Sequence, residues 1–416
     1  MLGHPFWMQD AISIREYLSQ QLPAALDMLR EMVGINSYTS NIEGVERLGR
    51  YTAECFANLG FQAEFVPSKS PEFGKHLVLR RPGKTERNLA MISHLDTVFP
   101  AEEEERNQFH WQVEGDRIYG PGTHDIKGGT VMMWLVLKAL QAKTPEVFEE
   151  LTWQLLLNSA EERFSPDFGE VCRERFDGKT LAALVFEAEG RMGEEGLLVL
   201  ARKGRAAWRI IIEGRGAHAG GKHSHGANAI VQAGSIAQKA AALTDYSQGL
   251  TFNVATVRGG TVLNRVPHEA VIEGEFRAFT AEVFREAKRR FLALAGRGEI
   301  GSKVDGFMCH VKPEILSESR PWPRNPGTDR LYDVWERAGR EIGIAIGSEE
   351  RGGLSDGNLI WDAAPTLDGL GPWGDNDHCS ERSADGTKVP EYVLSSSFVP
   401  KALLNVAAIR KLVEAK

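Results

Sequence analysis

A chain of 416 residues is too long for one ordinary hydrophobic core and points to two domains. Hydrophobic residues at 42% and charged residues at 25% exclude a disordered or fibrous chain. A formal net charge of -8, with no Lys/Arg run that would form a basic face, argues against a nucleic-acid partner and leaves small molecules or proteins.

The first ten residues lack the basic flank and apolar run of a secretory signal, and no apolar run approaches the roughly 18 residues of a membrane span. No membrane partner is expected. Cys55, Cys172, Cys309 and Cys379 stand far apart without a paired spacing, as reduced thiols of a cytoplasmic protein would.

Apolar positions at helical spacing run through residues 10–33 and again through 44–59, followed by short strand-like runs at 62–66 and 76–80. Residues 88–92 form a compact apolar run that ends in Ser93-His94-Leu95-Asp96-Thr97. Such a run reads as a buried strand that delivers polar side chains at its C-terminal end, where open α/β sheets place ligands. His94 and Asp96 are two apart and share a side of an extended backbone, so the His can ligate a metal while the Asp orients a partner. Taken alone, a His-x-Asp is more simply a solvated strand end.

The stretch Ile118-Tyr119-Gly120-Pro121-Gly122-Thr123-His124-Asp125 precedes a buried helix over 128–140. Glycines let backbones come close, and the two oxygens of Asp125 can bridge two metal ions. A lone Asp among glycines is otherwise an ordinary turn residue. A second buried strand, 151–158, ends in Glu161-Glu162, and a third, 181–186, ends in Glu187 and Glu189. Adjacent carboxylates repel unless a positive group lies near. On a regular strand Glu161 and Glu162 would point opposite ways, so both reach one site only if the backbone bends. Three apolar strands each ending in such groups form a metal constellation on one sheet edge.

From Arg205 the pattern changes to strand 205–213, helix 227–243, strands 251–258 and 266–279, helix 281–295 and strand 303–311. This β-α-β-β-α-β order is the split βαβ arrangement, read as an α+β insertion over 205–318 with a Pro-rich return at 320–326. A helix over 329–342, a glycine-rich turn at 351–358, a strand and loop at 365–371, the group Asp375-Asn376-Asp377-His378 and a closing helix over 395–412 complete the first domain, which comprises 1–204 and 319–416.

Taken together, Ser-His-Leu-Asp-Thr, Gly-Pro-Gly-x-x-Asp-x-Lys-Gly-Gly, Glu-Glu, Phe-Glu, Gly-x-His-Ala-Gly and a late His resemble the two-zinc metallopeptidase family of acetylornithine deacetylase, aminoacylase, succinyl-diaminopimelate desuccinylase and glutamate carboxypeptidase. The resemblance spans essentially the whole chain. Arg202-Lys203-Gly204, Ser355-Asp356-Gly357-Asn358 and Pro365 to Gly371 look like the glutamate carboxypeptidase branch. It implies an α/β catalytic domain with a mixed β-sheet flanked by helices, and a ferredoxin-like insertion that acts as a lid and dimerisation domain.

By the same resemblance, Asp125 bridges two zinc ions, His94 and Glu187 complete one, and Glu162 and His378 the other. Glu161 is implied as general base, Asp96 as the residue orienting His94, and His218 as the insertion-domain histidine that stabilises the oxyanion, often across a dimer. Its Gly-Ala-His-Ala-Gly setting favours His218 over His223 and His225. Asn264 and Arg277 match substrate-contacting positions, Arg277 being suited to a free carboxylate or, alternatively, to a salt bridge along its strand. Two His and three carboxylates suit Zn²⁺ and would accept Co²⁺ or Mn²⁺.

The implied activity is hydrolysis of an amide or peptide bond in a small substrate with a free carboxylate, with an aminoacylase, deacetylase or dipeptidase as the alternative. A non-catalytic binding protein on the same fold would lack a ligand or the base, and all six are present. Two departures stand out: His124 precedes the bridge where a small or acidic residue is usual, adding an extra ligand or a pocket contact, and the segment between His378 and Pro390-Glu391-Tyr392 is long.

Overall fold

The computed structural model describes residues 4–414. The chain divides into two compact units, one of residues 1–200, 324–350 and 355–416, the other of residues 201–323 and 351–354.

The first unit is built on a six-stranded mixed sheet, in the order Gln62–Val66, His76–Arg81, Thr152–Asn158, Asn88–His94, Thr180–Val185 and Thr366–Leu367. The first three strands pair antiparallel and the last four run parallel. The register sets His94 opposite Asn158 and Ile92 opposite Val185, so three parallel strands end side by side.

Side chains alternate across this sheet as the strand pleat requires. Leu77, Leu79, Leu89, Met91, Leu155, Leu157, Ala182 and Leu184 join a core with the helices His4–Val33, Lys127–Lys143, Pro326–Ile342 and Phe398–Glu414. Val78, Ala90, Ile92, Leu156, Ala183 and Val185 face Phe168, Val171 and Cys172 of the helix Pro166–Arg173, and Ile360. Burial on both faces explains why these strands read as unbroken apolar runs.

The second unit holds a five-stranded antiparallel sheet, in the order Thr251–Gly259, Glu269–Ala278, Gly204–Glu213, Met308–Ser319 and Gly296–Gly301. Its helices, Ala229–Ala241 and Ala281–Leu292, contribute Ala233, Ile236, Phe284 and Phe291 to a separate core around Trp208 and Phe276. Leaving out the edge strand Gly296–Gly301, the spatial order is second, third, first, fourth, the ferredoxin-like arrangement expected from the element order. The last strand lies later than the sequence suggests, at Met308–Ser319 rather than 303–311, because its C-terminal half is completed by pairing with Gly204–Glu213. None of the four cysteines forms a disulfide. Among the described residues, no helix is long and apolar enough to cross a membrane.

Candidate metal centre and catalytic turn

His94 closes the central strand, almost wholly buried, and its ring is fixed at Nδ1 by the Asp96 main-chain carbonyl at 3.0 Å, with the Asp96 carboxylate at 3.4 Å. That leaves Nε2 directed at Asp125 Oδ1, 3.0 Å away, and at Glu187 Oε1, 3.8 Å away. On the other side, His378 Nε2 lies 3.4 Å from Asp125 Oδ2 and 3.2 Å from Glu162 Oε2. The two oxygens of Asp125 thus face two different histidines. His94, Asp125 and Glu187, and likewise Asp125, Glu162 and His378, each offer ligand atoms within 4.8 Å of one another.

Glycines bring Asp125 into place. Gly122 has φ +77, and a Cβ on Gly128 or Gly129 would sit 2.3 Å from the Thr123 carbonyl oxygen or 2.0 Å from that of Phe186. The Lys127–Lys143 helix can therefore start against the end of the third strand only with glycine at these positions. The Asp125–Ile126 peptide is cis. Glu187 is held from the far side by Gly371, whose N–H donates to its carbonyl at 2.8 Å.

The bend needed to bring Glu161 and Glu162 to one site is built from side-chain acceptors. Asn158 Oδ1 accepts from the Ala160 N–H at 3.0 Å, while Asp96 Oδ1 and Oδ2 accept from the N–H groups of Glu161 and Glu162 at 3.0 and 3.2 Å. Thr39 Oγ1 donates to the same Asp96 carboxylate at 2.7 Å. Asp96 therefore ties the His94 strand end to the Glu161–Glu162 turn, a wider task than orienting one imidazole.

The cluster is short of positive charge. Burial pushes the Glu161 carboxyl well above its usual range, and the charges of Asp356, Glu187 and Glu162 add to this against the pull of His94. Burial and then the Asp125 charge raise Glu162 as well. Burial opposes a charge on His94, but hydrogen bonds to Asp125 and Asp96 outweigh it and raise its pKa. Hydrogen bonds to Asp125 and Glu162 raise the exposed His378 ring to about 11. Glu162 Oε1 is buried with no hydrogen-bond partner among the described residues. An oxygen-rich set with two imidazoles, an orphaned carboxylate oxygen and surplus negative charge fits divalent cations.

Glu189, the sequence neighbour that competes with Glu187, turns away to a buried ion pair with Lys401 at 2.8 Å. His124 joins neither ligand group. Its Nδ1 hydrogen-bonds Asp377, and its N–H donates to Glu391 Oε1 at 3.0 Å. Glu391, fully buried, also accepts from the Asp125 N–H at 3.3 Å and so holds the bridging loop. Sequence reasoning missed it, since its only signal was its place in the Pro390-Glu391-Tyr392 group. The long segment before it is pinched at its base, where the Glu391 N–H donates to the Cys379 carbonyl at 2.8 Å, and it closes on itself through Ser383 N–H to the Lys388 carbonyl at 3.1 Å.

In the second unit, His218 Nδ1 accepts from the N–H groups of Gly220 and Gly221 at 3.2 and 3.0 Å. Backbone amides only donate, so the ring proton is assigned to the exposed Nε2. The Asn264 segment lies alongside, with the Ala219 N–H donating to the Asn264 carbonyl at 3.0 Å. Arg277 donates from Nε to Glu275 at 2.7 Å and from Nη1 to the Gly352 carbonyl at 2.8 Å.

A family model described as "Peptidase dimerisation domain" matches residues 200–299. Carboxypeptidase G2 of Pseudomonas sp. (strain RS-16) is 28% identical over 356 residues, covering 85% of this chain and 82% of that protein. Succinyl-diaminopimelate desuccinylase of Bordetella petrii is 25% identical over 370 residues, covering 84% and 90%. The aminopeptidase PepT structure from Bacillus cereus shares the fold, with a TM-score of 0.74 at 22% identity over 94% of this chain and 99% of that one. These likenesses run most of the length of the chain, which is similar to metallopeptidases and amidohydrolases of the M20 family.

Proposed function

We propose that this protein is a zinc-dependent hydrolase of glutamate carboxypeptidase type, cleaving the amide or peptide bond of a small N-acyl amino acid or peptide that carries a free carboxylate. The observation that carries the reading is Asp125, with Oδ1 toward His94 and Oδ2 toward His378. His94, Asp125 and Glu187 would hold one ion and Asp125, Glu162 and His378 the other. When bound, such a pair lowers the pKa of water toward neutrality and stabilises the oxygens of the transition state.

Glu161 takes the proton from the attacking water and passes it to the leaving amine, a role its buried, upward-shifted carboxyl supports. His218, with its proton on Nε2, donates to the developing oxyanion. Asn264 contacts substrate, and Arg277 offers its remaining guanidinium donors to the free carboxylate. Residues 1–204 and 319–416 act as the di-zinc catalytic domain and residues 205–318 as lid and homodimer interface, a reading supported by the dimerisation-domain match. The setting is cytoplasmic. Similarity to carboxypeptidase G2 over most of both chains supports the carboxypeptidase type.

The test is release of free amino acid by zinc-loaded protein from N-acyl amino acids and dipeptides that vary in the C-terminal residue. Preference for C-terminal glutamate or aspartate supports the proposal. Preference for apolar residues or short acyl groups moves the assignment to an aminoacylase, deacetylase or dipeptidase, and silence across the panel refutes the hydrolase reading.

A further inference from the structure

Four successive backbone N–H groups, from Ser159 to Glu162, each donate to a side chain. The last three are held by Asn158 and Asp96. The first is held by a group outside the metal cluster: the Ser159 N–H donates to His76 Nδ1 at 3.1 Å. His76 is fully buried at the start of its strand, and its Nε2 lies 3.3 Å from Asp167 Oδ2. Asp167 is anchored in turn by the Lys69 N–H at 2.7 Å, the Ser68 hydroxyl at 2.9 Å and the Ser165 hydroxyl at 2.6 Å. Burial would raise its pKa, but the bonds from His76, Ser165, Lys69 and Ser68 outweigh it and keep it ionised.

The line Ser159, His76, Asp167 has the composition of a nucleophilic triad. It does not work as one. Ser159 is fully buried, and its hydroxyl donates to the Gly74 carbonyl at 2.7 Å. The ring geometry says what it does instead. A backbone N–H can only donate, so Nδ1 must present its lone pair to Ser159, and the ring proton belongs on Nε2, facing a carboxylate that accepts it. Asp167 thereby selects the one tautomer in which His76 can hold the strand end.

We propose that His76, oriented by Asp167, is a positioning residue that sets the Glu161–Glu162 turn from behind, fixing the base and a metal ligand together. This rests on Glu161 as base and Glu162 as ligand. Groups that orient a ligand from behind typically change metal affinity or activity by about 10- to 100-fold when removed. Leucine fills the His76 space without an acceptor. Asparagine places a carbonyl oxygen where Nδ1 stood, while glutamine places its amide at the Nε2 end.

The experiment compares His76→Leu, His76→Asn and wild type in kcat, KM and Zn²⁺ affinity by chelator competition from the metal-free protein. His76→Leu is expected to lower kcat about 10- to 100-fold with KM little changed, and to weaken one of two Zn²⁺ equivalents by a similar factor while sparing the other. His76→Asn is expected to restore both. Wild-type kcat and two wild-type affinities in His76→Leu, or equal losses in Leu and Asn variants, would overturn the proposal. Should the Leu variant lack a cooperative melting transition, Asn is compared with Gln: better turnover with Asn supports the strut, and equal turnover rejects it. A parallel Glu161→Gln variant separates the two ideas. Full turnover there defeats the base assignment, whereas the Zn²⁺ titration of His76→Leu tests the strut without involving Glu161.

Discussion

Glu187 and Glu189 stand two residues apart beyond the same strand, yet the fold gives them opposite tasks, and exchanging each for glutamine separates metal binding from stability. Glu189 lies 2.8 Å from Lys401, with side-chain exposures of 5% and 2%, and 3.3 Å from Arg191, which is partly exposed. Glu189→Gln keeps the volume but removes the carboxylate charge that faces the buried Lys401 ammonium at 2.8 Å. Removing one partner of a buried pair costs about 3–5 kcal/mol. Arg191 can turn to water, so the cost is set by Lys401 and should fall near the lower end, about 3 kcal/mol. For a unit of this size that is a drop in melting temperature on the order of 5–10 °C. Glu187→Gln should melt close to wild type in the metal-free state but bind less zinc. The assay is calorimetric melting of metal-free proteins alongside zinc content after reloading. A Glu189→Gln variant that melts like wild type, or that loses zinc while Glu187→Gln retains it, would refute this division.

Three further outcomes are expected. Asp125→Asn should lower bound zinc at both sites, because each lacks a shared oxygen charge, and two full equivalents by elemental analysis would break the bridge assignment. The carboxyl of Asp167 titrates lower folded than unfolded, so the unfolded chain binds the extra proton on acidification; its stabilisation is present above about pH 4 and lost as pH falls further. Asp167→Asn should therefore flatten the loss of stability of the metal-free protein below about pH 4, and parallel acid-unfolding curves would contradict this. If His218 acts across a homodimer, mixing His218→Ala with Glu161→Gln should recover up to about one quarter of the wild-type rate, since half the dimers are mixed and each has one intact site. No recovery despite demonstrated subunit exchange would place His218 in its own subunit's chemistry or outside it.

The parts of the fold that were legible are those whose environment is uniform. Asn88–His94, Thr152–Asn158 and Thr180–Val185 are buried on both faces, so their apolar runs announce strands and their polar ends announce a site. What escaped depends on partners distant in sequence. Gly296–Gly301 has no apolar run and exists only as an edge beside Met308–Ser319. Glu195–Arg202 is not among the strands the sequence suggests and is defined by its pairing, such as Gly190 with Leu197. The need for a bend at Glu161-Glu162 could be inferred, but its makers, Asp96 and His76, lie 65 and 83 residues from their amide partners. His124 could be read as an extra ligand or as a pocket contact; its ring turns to Asp377 and its amide to Glu391, and it joins neither ligand group.

The pinch between Cys379 and Glu391 bears on how this protein can change. Because the segment between them is closed at its base by this 2.8 Å backbone bond, and its first residues are anchored by Ser380 to Asn107 and Arg382 to Glu114, the length of chain beyond Arg382 is uncoupled from the positions of His378 before it and Glu391 after it. Loop-closure cost grows only by about 0.6 kcal/mol per doubling of length. The tip near Gly386 is therefore a place where residues can be added or removed, by drift or by an engineer inserting a tag, while the spacing of His378 and Glu391 stays as it is.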